Sequence, residues 1–199
     1  MLSSIIKVYK EHIMIADVFP ENGISLIYGA SGIGKTITTI KHLNDVGITP
    51  IHFDLDSNID PKEFGIDVIH IDGNDIIRRM ADDEQLEPVA LPAEGVMILD
   101  TWQLLSSAFG EESYAMRYAK KLRDNGMTVI IIGHENKHKN DRDNPDMSPE
   151  YANHLDAKLW FHTGRAVTTG KDKSPATYNL KVVKLRGYKG EPIIYEWRK

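Results

Sequence analysis

Residues 24–36 read I-S-L-I-Y-G-A-S-G-I-G-K-T, an apolar run that leads directly into a glycine-rich segment. Gly29, Gly34, Lys35 and Thr36 match G-x-x-x-x-G-K-[ST], the pattern of a phosphate-binding loop. The apolar run before the loop predicts a buried strand, and apolar residues at near-helical spacing after it predict a helix that ends near a glycine. Such a loop turns backbone N–H groups inward around a polyphosphate. The stretch therefore predicts a nucleoside triphosphate site.

The predicted contacts to the triphosphate come from the loop itself and from one acid beyond it. We expect the Lys35 side chain to reach the β- and γ-phosphates and the Thr36 hydroxyl to ligate Mg²⁺. A second metal-supporting acid normally ends a buried strand, and Asp100 follows the apolar run at residues 96–99. ATP and Mg²⁺ are thus the expected cofactors, with Thr36 and Asp100 as the metal residues. The predicted nucleotide-binding residues are Gly29, Ala30, Ser31, Gly32, Ile33, Gly34, Lys35 and Thr36.

Length and composition set limits on the class of protein. The chain has 199 residues, of which 41% are hydrophobic, so we expect a single domain over residues 1–199. It contains no cysteine, which excludes disulfides and thiolate catalysis. Charged residues interrupt the apolar residues near the N-terminus, and no apolar run approaches the roughly 20 residues needed to span a bilayer. We therefore expect a cytoplasmic protein with no membrane partner.

The charge is unevenly distributed along the chain. The net charge is −5, but residues 171–199 carry +5 and residues 1–170 carry −10. The basic C-terminal segment fits either a solvated sheet edge or a surface that faces phosphate groups. The sequence leaves both readings open.

Further apolar runs extend the strand-and-helix alternation. They predict strands at residues 51–53, 68–71 and 127–132, and a helix around residues 115–122. Later runs at residues 158–162, 178–185 and 192–197 predict more strands, with a polar turn at residues 171–175. The alternation is typical of a mainly parallel sheet with functional residues at the carboxyl ends of its strands. The residues expected at that edge, besides the loop, are Asp54, Asp56, Asp100 and His134.

Residues 134–138 also spell H-E-x-x-H, a zinc-protease signature. That chemistry requires His134 and His138 on one face of a helix. The motif instead follows a predicted strand, and the polar residues after it offer no apolar face for a helix. We therefore interpret His134 as a polar residue that ends a strand.

Taken together, these motifs resemble the RecA/DnaB-type P-loop ATPase core, a superfamily of recombinases, hexameric helicases and short phage single-strand-annealing ATPases. The resemblance covers residues 24–190. It rests on the glycine loop, on Asp54-Leu55-Asp56, on V-M-I-L-D ending at Asp100, on I-I-I-G-H-E ending at Glu135, and on K-L-R-G-Y-K-G at residues 184–190. It implies an α/β, RecA-like fold: a mainly parallel central sheet flanked by helices, with antiparallel C-terminal strands.

The resemblance also implies roles for individual residues. Asp100 would support Mg²⁺, and His134 would sense the γ-phosphate. Lys184 and Arg186 would act in trans, in the nucleotide site of a neighbouring subunit. Asp56 stands where relatives usually carry the glutamate that orients the attacking water, so turnover would be slow, or Asp54 or Glu135 would take this role.

The implied activity is that of a Mg²⁺-dependent ATPase that assembles with itself into a ring or filament, with a hexamer as the expected ring. It would bind single-stranded DNA and work with replication or recombination proteins, in a phage- or plasmid-type setting. The DNA-binding loops would lie at residues 101–110 and 136–151, where Trp102 could stack on a base or belong to the core.

Two other classes of function remain open. A small-molecule or nucleoside kinase would use Asp54 and Asp56 to hold an acceptor hydroxyl. A regulatory switch would bind ATP and signal to a protein partner.

Overall fold

The computed structural model describes residues 19–57, 59–74, 77, 94–136, 144–163, 168–169, 172–173, 177–186 and 194–198. The strands are β1 Ile24–Gly29, β2 Ile51–Asp54, β3 Ile69–Asp72, β4 Gly95–Asp100, β5 Met127–His134, β6 Ala157–Thr163, β7 Thr168–Thr169, β8 Asp172–Lys173, β9 Thr177–Leu185 and β10 Ile194–Arg198. The helices are α1 Lys35–Asp45, α2 Pro61–Phe64, α3 Trp102–Ala108, α4 Glu112–Asp124 and α5 Pro149–Ala152.

Eight strands form one sheet in the order β10-β9-β6-β1-β5-β4-β2-β3. The six strands from β6 to β3 in this order run parallel, whereas β9 and β10 are antiparallel to their neighbours. The carboxyl ends of the six parallel strands therefore meet at one edge, which we call the carboxyl edge. Strand β1, which leads into the glycine loop, lies near the middle of the sheet.

The central strands β1 and β5 are mostly apolar, because both faces of the sheet are covered. Along β1, Leu26 and Tyr28 pack into the core on the face of α3 and α4, and Ile27 packs into the core on the face of α1. Along β5, Ile131 and Ile130 divide between the same two cores. A strand buried on both faces has no polar alternation, which explains the continuous apolar runs of the sequence.

The mainly parallel architecture predicted from the sequence is confirmed, and the predicted strands lie within about two residues of the observed ones. Two features differ from expectation. Residues 101–110 were expected to form a loop, but they contain the helix Trp102–Ala108, because Thr101 caps it and Trp102 and Leu105 bury one of its faces. The expected turn at residues 171–175 instead includes β8, which pairs with β7.

None of the helices in the described ranges has the length and apolar character needed to cross a membrane.

Candidate nucleotide-binding site

The glycine loop joins the end of β1 to the start of α1, as the sequence predicts. Gly29 must be a glycine because an added Cβ would lie 2.1 Å from the backbone oxygen of Phe161 in β6. Gly32 and Gly34 have φ angles of +73° and +85°, a left-handed conformation that other residues rarely adopt. The loop glycines therefore serve two purposes: Gly29 allows close packing, and the other two allow the chain to turn.

Lys35 lies buried at the base of this loop. Its ammonium group donates to the backbone oxygens of Gly29, at 3.2 Å, and Ala30, at 2.8 Å. Burial lowers the pKa of Lys35, and the negative charges of Asp100 and Glu135 act in the opposite direction. The loop thus holds a partly desolvated cation beside its own N–H groups, a setting that strengthens attraction to a phosphate oxygen.

Thr36 and Asp100 meet at the start of α1. The Thr36 hydroxyl donates to Oδ2 of Asp100 at 2.7 Å, and both residues are buried. A hydroxyl and a carboxylate oxygen are the hard donors that Mg²⁺ prefers, and Mg²⁺ normally retains waters and nucleotide oxygens in its remaining positions. These two residues therefore fit Mg²⁺, which would neutralise phosphate charge when bound.

We expect Asp100→Asn to remove most of the effect of Mg²⁺ on nucleotide affinity, because an amide offers no charge to the cation. The amide still accepts the Thr36 hydrogen bond, so the fold should persist. Nucleotide titrations with Mg²⁺ and with EDTA measure this difference. Asp60→Asn, at an exposed position, is the control and should retain the full Mg²⁺ effect.

An open cavity of about 240 Å³ lies at the carboxyl edge beside the loop. Asp54 and Asp56 both line this cavity, but their carboxylates differ in hydrogen bonding and in exposure. Oδ1 of Asp54 accepts from the backbone N–H groups of Asp56 and Ser57, and Oδ2 lies 3.0 Å from Nε2 of His70. Asp54 is buried and already engaged, whereas Asp56 is exposed to the cavity.

His134 ends β5 directly beside the loop, because its register partner in β1 is Gly29. It also lines the cavity. Burial and the nearby Lys35 ammonium lower its pKa, while the carboxylates of Asp100, Asp146 and Asp56 act in the opposite direction. His134 therefore favours the neutral imidazole. It lies on a strand, so the helical zinc geometry does not apply to it, and His138 lies outside the described residues.

Lys184 and Arg186 lie at the opposite edge of the sheet. Arg186 follows β9, and its guanidinium Nη1 lies 2.8 Å from Oδ1 of Asp156, just before β6. Oδ2 of the same carboxylate accepts from the backbone N–H of Ile24, the first residue of β1. Lys184 donates to the backbone oxygen of Asn153. The structure therefore does not bring these two cations to the nucleotide loop of their own chain.

The segments expected to bind DNA are only partly described. Trp102 belongs to the core: it is 1% exposed, and its indole N–H donates to Glu112 at 3.0 Å. It is therefore not available to stack on a base. In the second segment, residues 137–143 lie outside the described residues, among them Lys137, Lys139 and Arg142.

Sequence reasoning missed two histidines near the site. His52 Nε2 lies 3.3 Å from Oδ2 of Asp100, and His70 contacts Asp54. The signal was present, since I-H-F-D at residues 51–54 and I-H-I-D at residues 69–72 repeat one pattern in neighbouring strands. In each strand the histidine and the acid are two residues apart and therefore share a face.

The structure of the RadB recombinase matches this architecture with a TM-score of 0.60 over 90% of this chain and 88% of that chain. The fold is RecA-like. Sequence identity across the match is 13%, so the RecA-like fold is what the comparison establishes. No protein-family model matches the sequence, and a search of curated proteins finds no match.

Proposed function

We propose that this chain is an ATP-hydrolysing, single-stranded-DNA-binding protein of recombination or replication, whose active sites form between subunits. Each chain would contribute the loop, Thr36 and Asp100 to one site. It would contribute Lys184 and Arg186 to the next site. The observation that carries this proposal is the placement of these two groups of residues at opposite edges of one sheet.

The distance between the two edges supports action in trans. Asp156, the partner of Arg186, bonds to Ile24, and Gly29 lies five residues further along the same strand. At about 3.3 Å per residue this separation is about 17 Å. An extended arginine side chain, with bonds of about 1.5 Å, reaches only about 7 Å from its Cα. Arg186 therefore does not reach a phosphate held at Gly29 of its own chain, which supports a contact with the nucleotide of another subunit.

Arg186 is suitably exposed for such a contact. Its side chain is 65% exposed although one nitrogen pairs with Asp156. A guanidinium carries five N–H donors, so it can hold one carboxylate and still offer donors to a phosphate. Lys184, two residues earlier on β9, adds a second cation near the same edge.

Asp56 is the proposed residue that orients the attacking water. It is exposed to the cavity, whereas the hydrogen bonds of Asp54 already engage both carboxylate oxygens. Glu135 remains a second candidate, because its charge acts on Lys35 and its backbone N–H donates to Gly29 at 3.2 Å. The resemblance to RecA/DnaB-type ATPases supports ATP hydrolysis and a DNA partner, and the match to a recombinase structure supports a place in recombination.

Two measurements on the wild-type protein test this proposal. If sites are shared, ATP turnover per chain should rise with protein concentration until assembly is complete. Single-stranded DNA should bind and raise turnover at low salt, and the effect should weaken steeply as salt increases, because phosphate contacts release counterions. Turnover that is independent of both protein concentration and DNA would contradict the proposal.

A kinase is less well supported. A kinase would use Asp54 and Asp56 to hold an acceptor hydroxyl, but the Asp54 carboxylate already accepts two backbone N–H groups and contacts His70, which leaves Asp56 as the one exposed acid of the pair. A kinase would also transfer phosphate as a monomer. The same concentration series therefore separates the two functions.

A further inference from the structure

Three potential metal ligands lie together on strands β2 and β3. His52, Asp54 and His70 each offer one ligand atom, and these atoms lie within 4.8 Å of one another. His52 and His70 are register partners on the two parallel strands. The sheet therefore fixes the spacing of the two histidine backbones, and neither residue depends on a loop for its position.

His52 has a buried nitrogen without a partner. The residue is fully buried, and Nε2 lies 3.3 Å from Oδ2 of Asp100. A carboxylate only accepts hydrogen bonds, so in the neutral imidazole this contact places the proton on Nε2 and leaves a lone pair on Nδ1. Nδ1 has no hydrogen-bond partner. Histidines that ligate metals commonly donate their other N–H to a carboxylate, which is the arrangement that His52 has with Asp100.

Hydrogen bonds also orient the carboxylate of Asp54. The backbone N–H groups of Asp56 and Ser57 hold Oδ1, at 2.9 and 2.8 Å. Oδ2 then lies 3.0 Å from Nε2 of His70. Two ligand atoms on one tetrahedral Zn²⁺, with bonds of 2.0–2.1 Å, lie about 3.3 Å apart, so this pair needs little adjustment.

Access to the cluster is through His70. Its side chain is 38% exposed, whereas Asp54 is 2% exposed. A metal could therefore enter from the His70 side and keep a position open to water. Two imidazoles and one carboxylate favour Zn²⁺ or a similar transition metal, because Mg²⁺ prefers oxygen ligands throughout.

We propose that His52, Asp54 and His70 form a binding site for Zn²⁺ or a related divalent transition metal, separate from the Mg²⁺ residues Thr36 and Asp100. His52 links the two sites, because its second nitrogen contacts Asp100. This inference does not depend on the proposed function, since binding can be measured without nucleotide or DNA.

The test is a titration of chelator-treated, full-length protein with Zn²⁺ alone, read by competition with a chromophoric chelator. We expect one Zn²⁺ per chain and no displacement by excess Mg²⁺. His70→Gln should weaken Zn²⁺ binding at least about tenfold, the scale on which changes around metal ligands act. Zn²⁺ should also raise the unfolding temperature of the wild-type protein, because a ligand that binds the native state stabilises it.

Matched histidine variants show which residues hold the metal. His42 also lies near a carboxylate, 3.9 Å from Asp45, and His42→Gln should leave Zn²⁺ affinity unchanged. His134→Gln should leave it unchanged too, and a loss there would assign the metal to the H-E-x-x-H segment instead. His52→Asn should weaken binding as His70→Gln does, and the exposed His70 provides the result if His52→Asn fails to fold. The absence of Zn²⁺ binding, or binding that His70→Gln does not weaken, would overturn the proposal.

Discussion

Lys35→Ala is expected to lower ATP turnover by about 10²–10³-fold, the usual loss when one charged or hydrogen-bonding group that stabilises the transition state is removed. The structure gives the physical reason. Lys35 is a buried cation held by the backbone oxygens of Gly29 and Ala30. Alanine leaves the glycines in place but removes the charge that we expect to contact the phosphates. Steady-state phosphate release and binding of a fluorescent ATP analogue measure the two effects.

Lys41→Ala is the matched control for this experiment. It removes the same charge from the same helix α1, at an exposed position. It should leave ATP binding and turnover within about twofold of wild type, as expected for a surface substitution. Equal turnover in Lys35→Ala and wild type would remove the site assignment altogether.

Arg186→Ala is expected to retain ATP binding and lose about 10³–10⁵-fold in turnover, the range for arginines that act on a transferred phosphoryl group from a neighbouring subunit. The complete loop remains in the variant, so its nucleotide affinity should stay near that of wild type. Parallel measurements of affinity and turnover separate this result from general damage to the site.

The variant Asp156→Asn distinguishes a catalytic role of Arg186 from a structural one. Arg186 pairs with the buried Asp156, so Arg186→Ala also leaves a buried carboxylate without its cation. Asparagine at position 156 removes the same ion pair but can still accept the Ile24 N–H. If Arg186 acts in trans, Asp156→Asn should retain turnover. If the ion pair alone matters, both variants should lose turnover together with thermal stability.

Assemblies that mix the Lys35→Ala and Arg186→Ala subunits provide a second test of whether active sites are shared between subunits. A Lys35→Ala subunit keeps Arg186, and an Arg186→Ala subunit keeps the loop, so some interfaces in a mixture regain a complete site. We expect turnover in the mixture to exceed the sum of the two separate variants. A purely additive result would argue against action in trans.

The parts of the fold that depend on short stretches of sequence could be predicted. The loop, the strand before it and the helix after it follow from glycine placement and apolar spacing. Asp100 could be paired with Thr36 because an acid that ends a buried parallel strand meets the loop at the same edge, and the observed distance of 2.7 Å agrees.

The features that the sequence did not predict depend on contacts between residues that are far apart along the chain. Whether Asp54 was free could not be read from the sequence, because its partner His70 comes from another strand. The pairing of Arg186 with Asp156 depends on how β9 lies against β6, which the order of residues does not reveal. The helix that begins at Trp102 was missed because the family resemblance implied a loop there, although a short apolar face was present.

Gly29 is required by the neighbouring backbone of β6, since a side chain would collide with the Phe161 carbonyl. The close packing of β1 against β6 therefore requires a glycine at this position whether or not the loop binds a nucleotide. Because strand packing alone can require it, the first glycine of G-x-x-x-x-G-K-[ST] is weak evidence for nucleotide binding in a search for remote relatives. The lysine and threonine, together with an acid that ends a nearby strand, are the better criteria.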